Sequence, residues 1–230
     1  MNIQVTYLSL LLVTLAGCSS LRPTDEEIAA TDMPDNTLLH EVDYDDDRVG
    51  VQWVSNTIKP HDYTALMVPK VELKQDLTQD KQIPKSVLDN LANVITDQLR
   101  KNISIPMTVV DKAGPHVARI NIRISRATTE ARDLALTEMT PVGAVIGSIK
   151  MAAGTRDKTA RIIIEVHIVD SVTSERLAGR VSAIIAPAAL ENDESHLNYE
   201  QIRKDVDNFV NDTRMFIESA AHEVKQNNAE

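Results

Sequence analysis

Few side chains in this sequence carry chemistry, and their spacing sorts them. The single cysteine, Cys18, closes an apolar run from Leu8 to Gly17 and is followed by Ser19 and Ser20. One thiol excludes an intramolecular disulfide and any metal site built on several cysteines. As a nucleophile it would need a base held beside it by a folded scaffold, and an apolar leader supplies none. The six histidines (His40, His61, His116, His167, His196 and His222) lie in separate segments without ligand spacing. No H-E-x-x-H, G-x-S-x-G, G-x-G-x-x-G or Walker loop occurs. One polar constellation is left. Arg161, Glu165 and His167 alternate with Ile162, Ile164, Val166 and Ile168, so they share one face of a predicted strand. Arg119 and Arg123 alternate with Ile120, Ile122 and Ile124 in the same way and would lie across from them if the two strands pair. Such a face is either a polar groove for an acidic ligand or a solvated sheet surface with cross-strand charge pairs. The second arrangement is the commoner one.

Two other stretches could hold a ligand. Asp43 to Asp47 is rich in carboxylates, but a calcium loop counted from Asp43 needs Gly sixth and Glu twelfth, where Arg48 and Val54 stand. A like-charge linker fits that run better. In the segment 140–153, Val142, Gly143, Val145, Ile146, Gly147 and Ile149 form an apolar run with small-xxx-small spacing, too short to span a bilayer. It suits either a short helix buried against a sheet or an exposed docking segment. No cofactor or metal site follows from any of this.

The elements that would position these residues follow from periodicity. Tyr63 to Leu73 reads as a strand continuing through Pro69, which cannot donate to a ladder and should sit at an edge, a bulge or the strand's end. Pro84 opens a helix with Val87, Leu88, Leu91, Val94, Ile95 and Leu99 on one stripe. Met107 to Val110 and 118–125 are strands; 161–169 and 177–185 form an antiparallel pair across a turn at Ser171 to Glu175. A second helix follows from Asn198 to about Val224, with Asn198 and Gln201 as its capping box. The order predicts an α+β fold: two layers, a mainly antiparallel sheet with two long helices packed on one face.

The formal charge is −10, but by residue 48 ten acids against Arg22 and Arg48 already give −8. The remaining chain is close to neutral, with no basic face to collect phosphates, so nucleic acid is not an expected partner. The acids lie among Ser, Thr and Pro, a composition that favours a solvated arm.

Leu15-Ala16-Gly17-Cys18 resembles the lipobox of bacterial lipoproteins. That resemblance implies alkylation of the Cys18 sulfur, cleavage before it and acylation of the new amino group, so that the acylated Cys18 holds the membrane. Ser19 after the cysteine, by similarity to enterobacterial lipoproteins, implies the outer membrane. Residues 1–17 are then a lipoprotein signal peptide, 18–56 an acidic flexible tether, and 57–226 a single α+β domain. The chain further resembles an uncharacterised bacterial envelope lipoprotein family, domain of unknown function 3313. Tyr63 to Val71, Pro141-Val142-Gly143, Ile164 to Leu177 and the terminal helix carry the resemblance. Asp170-Ser171-Val172-Thr173-Ser174-Glu175 matches the family's D-x-x-T-G-E turn with Ser174 where Gly is usual. The family implies an anchored, periplasm-facing domain and supplies no activity. The expected function is therefore a non-enzymatic binding module with an envelope protein as partner, or alternatively a carrier or sensor of a small apolar ligand or lipid.

Overall fold

The isoleucine alternations build two of the three longest strands of the computed structural model, which describes residues 22–33, 38–44, 48–58, 62–103, 107–131, 157–192 and 194–222. In chain order the elements are α1 (Asp25–Ala29), β1 (His40–Tyr44), β2 (Arg48–Val54), β3 (Ala65–Met67), β4 (Glu72–Gln79) and α2 (Lys85–Asn102). Then follow β5 (Thr108–Val110), β6 (Val117–Ala131), β7 (Lys158–Asp170), β8 (Arg176–Leu190), a 3₁₀ turn (Tyr199–Gln201) and α3 (Arg203–His222). All eight strands join one sheet in the order β1-β2-β8-β7-β6-β3-β5, with β4 also on β6.

Side chains alternate across this sheet. Ile120, Ile122 and Ile124 of β6 share a face with Ile162, Ile164, Val166 and Ile168 of β7, and α2 and α3 bury their apolar stripes against it. Leu88, Leu91, Ile95 and Leu99 of α2 are wholly buried there. Asn198 and Gln201 form the expected reciprocal cap at the entry to the last helical segment. Odd-numbered β7 residues face the other way, where a smaller cluster joins Ile28, Val51, Ile163 and Val181.

Two expectations are corrected. The sheet is mixed and dominates the fold, which is not a mainly antiparallel layer organised by two long helices. β3 pairs in parallel with both β5 and β6, and β4 in parallel with β6, while only two helices among the described residues reach seven residues. The physical reason is the crossover through α2, which returns the chain so that β5 and β6 run in the same direction as β3 and β4. Pro69, which cannot donate to a ladder, divides the expected strand into β3 and β4, which lie along β6 one after the other. The described part of the expected tether, over 18–56, holds α1, β1 and β2. β2 pairs with β8 through Val51, Gln52, Trp53 and Val54, so the folded unit begins before residue 57. Three of its acids pair with sheet arginines: Glu26 with Arg126, Glu27 with Arg161 and Asp32 with Arg123.

Candidate functional site

The polar face of β6 and β7 is covered by the amino-terminal arm. Thr24 caps α1: its N–H donates to Glu27 Oε2 at 2.7 Å, and Glu27 N–H donates to Thr24 Oγ1 at 3.2 Å. The same carboxylate accepts Arg161 Nε–H at 2.6 Å and Nη2–H at 2.8 Å, while Nη2 also donates to the Arg22 carbonyl at 2.7 Å. Both partners are sealed, with 7% of the Arg161 side chain and 4% of the Glu27 side chain exposed. Burial pushes the Glu27 carboxyl up. The Arg161 hydrogen bonds, the Thr24 N–H and the guanidinium charge outweigh that, and it sits below the ordinary glutamate range.

A second clasp lies along the same face. Asp32 N–H donates to Glu165 Oε2 at 3.1 Å, and the Asp32 carboxylate pairs with Arg123. Lys74 Nζ donates to the Ala30 carbonyl at 2.9 Å, and Arg126 Nη1 to Glu26 Oε1 at 3.2 Å. His167 Nε2 donates to Glu165 Oε2 at 3.1 Å. Glu165 is completely buried, which raises its carboxyl, yet the His167 bond and the Asp32 N–H hold it below the usual value. Its Oε1 has no hydrogen-bond partner among the described residues. Gly179 completes the surface, since a Cβ there would come within 2.5 Å of Trp53 Nε1 and 2.8 Å of Met33 Sδ. Only glycine lets both side chains lie against β8.

Beside the clasp an open polar groove of about 240 Å³ is lined by Lys70, Glu72, Asn121, Arg123, His167 and Arg176, among others. Lys70 and Arg176 are exposed at its rim, whereas Asn121, Arg123 and His167 are half-buried. The structure thus brings Arg123, Glu165 and His167 together, Arg123 directly opposite Glu165 and Asn121 opposite His167. Arg119 lies on the same face nearer the Asp170 turn, opposite Val169, with Nη2 3.5 Å from Ser174 Oγ. Chemically, Glu165 and His167 form an oriented carboxylate–imidazole pair, but the hydrogen bonds given to them go to each other and to the arm. No group of three or more His, Cys, Asp or Glu side chains placed for a metal ion occurs among the described residues. Cys18 and the segment holding Val142, Gly143, Val145, Ile146, Gly147 and Ile149 lie outside the described residues, as does Asp45 to Asp47.

An apolar cavity of about 50 Å³ lies on the helix-covered face, lined by Tyr63, Leu66, Met107, Ile168 and Ile217 among others. Sequence reasoning missed Glu27 and Asp32 as partners of the sheet arginines. The available signal was Thr24-x-x-Glu27 with Ile28 behind it, a capping box before an apolar residue inside an acidic arm.

The family model described as "Protein of unknown function (DUF3313)" matches residues 32–212, and the chain belongs to that family. It is similar to the uncharacterized lipoprotein YdcL of Escherichia coli (strain K12), 22% identical over 205 residues, which is 89% of this chain and 91% of that one. The similarity fits a lipoprotein of unknown function. Among solved structures, the hypothetical protein CT253 from Chlamydia trachomatis overlays with a TM-score of 0.42 and 9% identity, over 70% of this chain and 99% of that one. A putative neuraminyllactose-binding hemagglutinin homolog from Helicobacter pylori gives 0.34 and 10%, over 76% and 95%.

Proposed function

We propose that this protein is a lipid-anchored envelope protein of the outer membrane, facing the periplasm, and that its sheet domain is a non-enzymatic interaction module with a protein partner. The observation that carries this is the clamped arm. Arg22, whose carbonyl Arg161 already holds, is the fourth residue after Cys18. A chain of that length spans at most ~14 Å. An acylated Cys18 would therefore hold the domain close to the lipid surface, with the groove on its arm-covered face. That is not a domain on a long leash. The groove, rimmed by the exposed Lys70 and Arg176 and open to solvent, supports docking of an acidic segment of a partner. The use of Glu165 and His167 to fasten the arm supports a binding role for that face over a catalytic one.

The carrier reading draws on the apolar cavity behind Tyr63. Its volume of about 50 Å³ is roughly a third of the ~150 Å³ that accommodates benzene in an engineered core, and this favours the first reading. Photo-crosslinkers placed in cells at Lys70 and Arg176 of the full-length chain test the choice. One envelope protein should be captured, and charge reversal at the other rim position should abolish its capture. Recovery of lipid alone would install the carrier reading. Labelled palmitate should enter the wild type and not Cys18→Ala; entry into both would remove the anchor.

A further inference from the structure

The helix-covered face contains a second polar site that its sequence phase disguises. In β8, Ala178, Arg180, Ser182 and Ile184 share one phase, and their pairing with Ile168, Val166, Ile164 and Ile162 turns them toward the helices. Arg180 thus enters the core at an apolar position, with 2% of its side chain exposed. Gly50 makes room for it: a Cβ there would lie 3.2 Å from Arg180 Nε and 3.1 Å from Tyr44 Cε2. The guanidinium rests over the Tyr44 ring, 4.2 Å from its centroid. Its carboxylate neighbour among the described residues is already engaged, because Asp212 accepts Arg48 Nε–H at 3.0 Å and Nη2–H at 2.9 Å. Arg180 Nη2 stands 3.6 Å away, beyond hydrogen-bond length. Arg180 Nε and Nη1, and Ser182 Oγ on the same strand face, are buried without any hydrogen-bond partner among the described residues.

A sealed guanidinium with two idle nitrogens is costly unless something accepts from it. The place for that acceptor is a cleft of about 160 Å³ between β1, β2, β8 and α3, lined by Arg180, Ser182 and Asp212 and bordered by Lys204, Asp205 and Asn208. It is an order of magnitude larger than the ~10–15 Å³ that one water requires. Lys204 is exposed at the mouth, and Asp205 and Asn208 are half-buried. Among the described residues that line the cleft, Arg48, Arg180 and Lys204 face Asp205 and Asp212, one positive charge in excess. Val49, Ile185 and Phe209 supply apolar wall. We propose that this cleft binds a small monocarboxylate with a short apolar body, its carboxylate received by Arg180 and Ser182. A single negative charge balances the lining, and guanidinium–carboxylate hydrogen bonds are the strong, charge-assisted kind.

The full-length protein in a neutral detergent is titrated with sodium acetate and sodium benzoate, against sodium chloride at matched ionic strength. Arginine Nε–Hε NMR signals and calorimetry provide the readout. The Arg180 signal, identified by its loss in Arg180→Met, should shift saturably with the carboxylates and not with chloride. Affinity should fall about tenfold or more in Arg180→Met, and about threefold in Lys204→Glu, which reverses charge at the exposed mouth. A wild type without a saturable shift would overturn the proposal and leave a cleft holding water alone. An Arg180→Met response equal to wild type would do the same. If Arg180→Met does not fold, Lys204→Glu decides, and an unchanged affinity there overturns the site.

Discussion

Arg161 and Arg180 are sealed on opposite faces of one sheet, and their surroundings differ in completeness. Arg161 has a carboxylate aligned with its fork, and that carboxylate also caps the helix that brings it. Arg180 shares an aspartate that Arg48 already holds, and lies against aromatic rings. The first arrangement uses a buried charge to fasten two distant chain segments, since Glu27 and Arg161 are 134 residues apart. The second leaves hydrogen-bonding capacity unused beside an open cleft. A charge that is fully paired belongs to the architecture; one that is partly paired points to something outside the chain.

Removing one partner from each arginine is the strongest way to break this comparison. Glu27→Ala strands Arg161 and deletes the α1 cap, and should destabilise the protein by about 3–5 kcal/mol, measured by denaturant unfolding of the full-length chain. The double variant Glu27→Leu with Arg161→Met should recover most of that loss, because no charge is then left alone. Arg180→Met should shift stability by less than about 1 kcal/mol, because Asp212 keeps Arg48 and the methionine can fill the space. Equal losses in Glu27→Ala and Arg180→Met would erase the distinction between clamp and site.

Acid should reveal the same asymmetry with a smaller effect. The Glu27 and Glu165 carboxyls lie below their ordinary values in the folded protein. Their contribution is complete above the unfolded carboxyl range near pH ~4.3 and is lost as pH falls through the lower folded values. Lowering the pH from neutral toward about 3 should therefore loosen the arm-covered face first. Hydrogen exchange at Ile28 and Ala30, whose N–H groups donate within α1, should accelerate before exchange at Leu91 or Ile95. Simultaneous loss of protection in α1 and α2 would show that the arm is not a separable layer.

What the sequence revealed about this molecule was local. The Ile and Arg alternation of 118–124 and 161–169 marked paired strands with one polar face, and the Leu88, Leu91, Ile95 stripe marked α2, because those patterns need only neighbours a few residues away. The arm was hidden because its acids look solvent-bound until Arg161, Arg123 and Arg126 are placed opposite them, a hundred or so residues on. The parallel pairing of β3 and β4 with β6 was hidden for a related reason, as alternation fixes a face but neither direction nor partner. Within the candidate site, Glu165, His167 and Arg123 were legible as one face. Arg180 was not, although a charged residue in phase with Ala178, Ser182 and Ile184 is itself a signal. A polar group at an inward position asks for a partner.

The turn joining β7 to β8 supplies the smallest effect and a control for the two arginines. Asp170 Oδ1 accepts the N–H groups of Val172 and Thr173 at 2.8 and 2.7 Å, and Ser174 N–H closes on the Asp170 carbonyl at 3.0 Å. That closure requires Ser174 to adopt φ of 62°, the left-handed region where a Cβ costs ~1–2 kcal/mol. Glycine at this position relieves the strain but gives back ~0.5–1 kcal/mol through the greater freedom of the unfolded chain. Ser174→Gly should therefore gain about 0.5–1 kcal/mol, raising Tm by about 1–4 °C. The turn touches neither Glu27 nor Asp212, so α1 exchange in acid and carboxylate binding at Arg180 should stay at wild-type values. A change in either would mean that the two faces of the sheet communicate through the β7–β8 hairpin, and the arginine sites would then have to be treated as one coupled system.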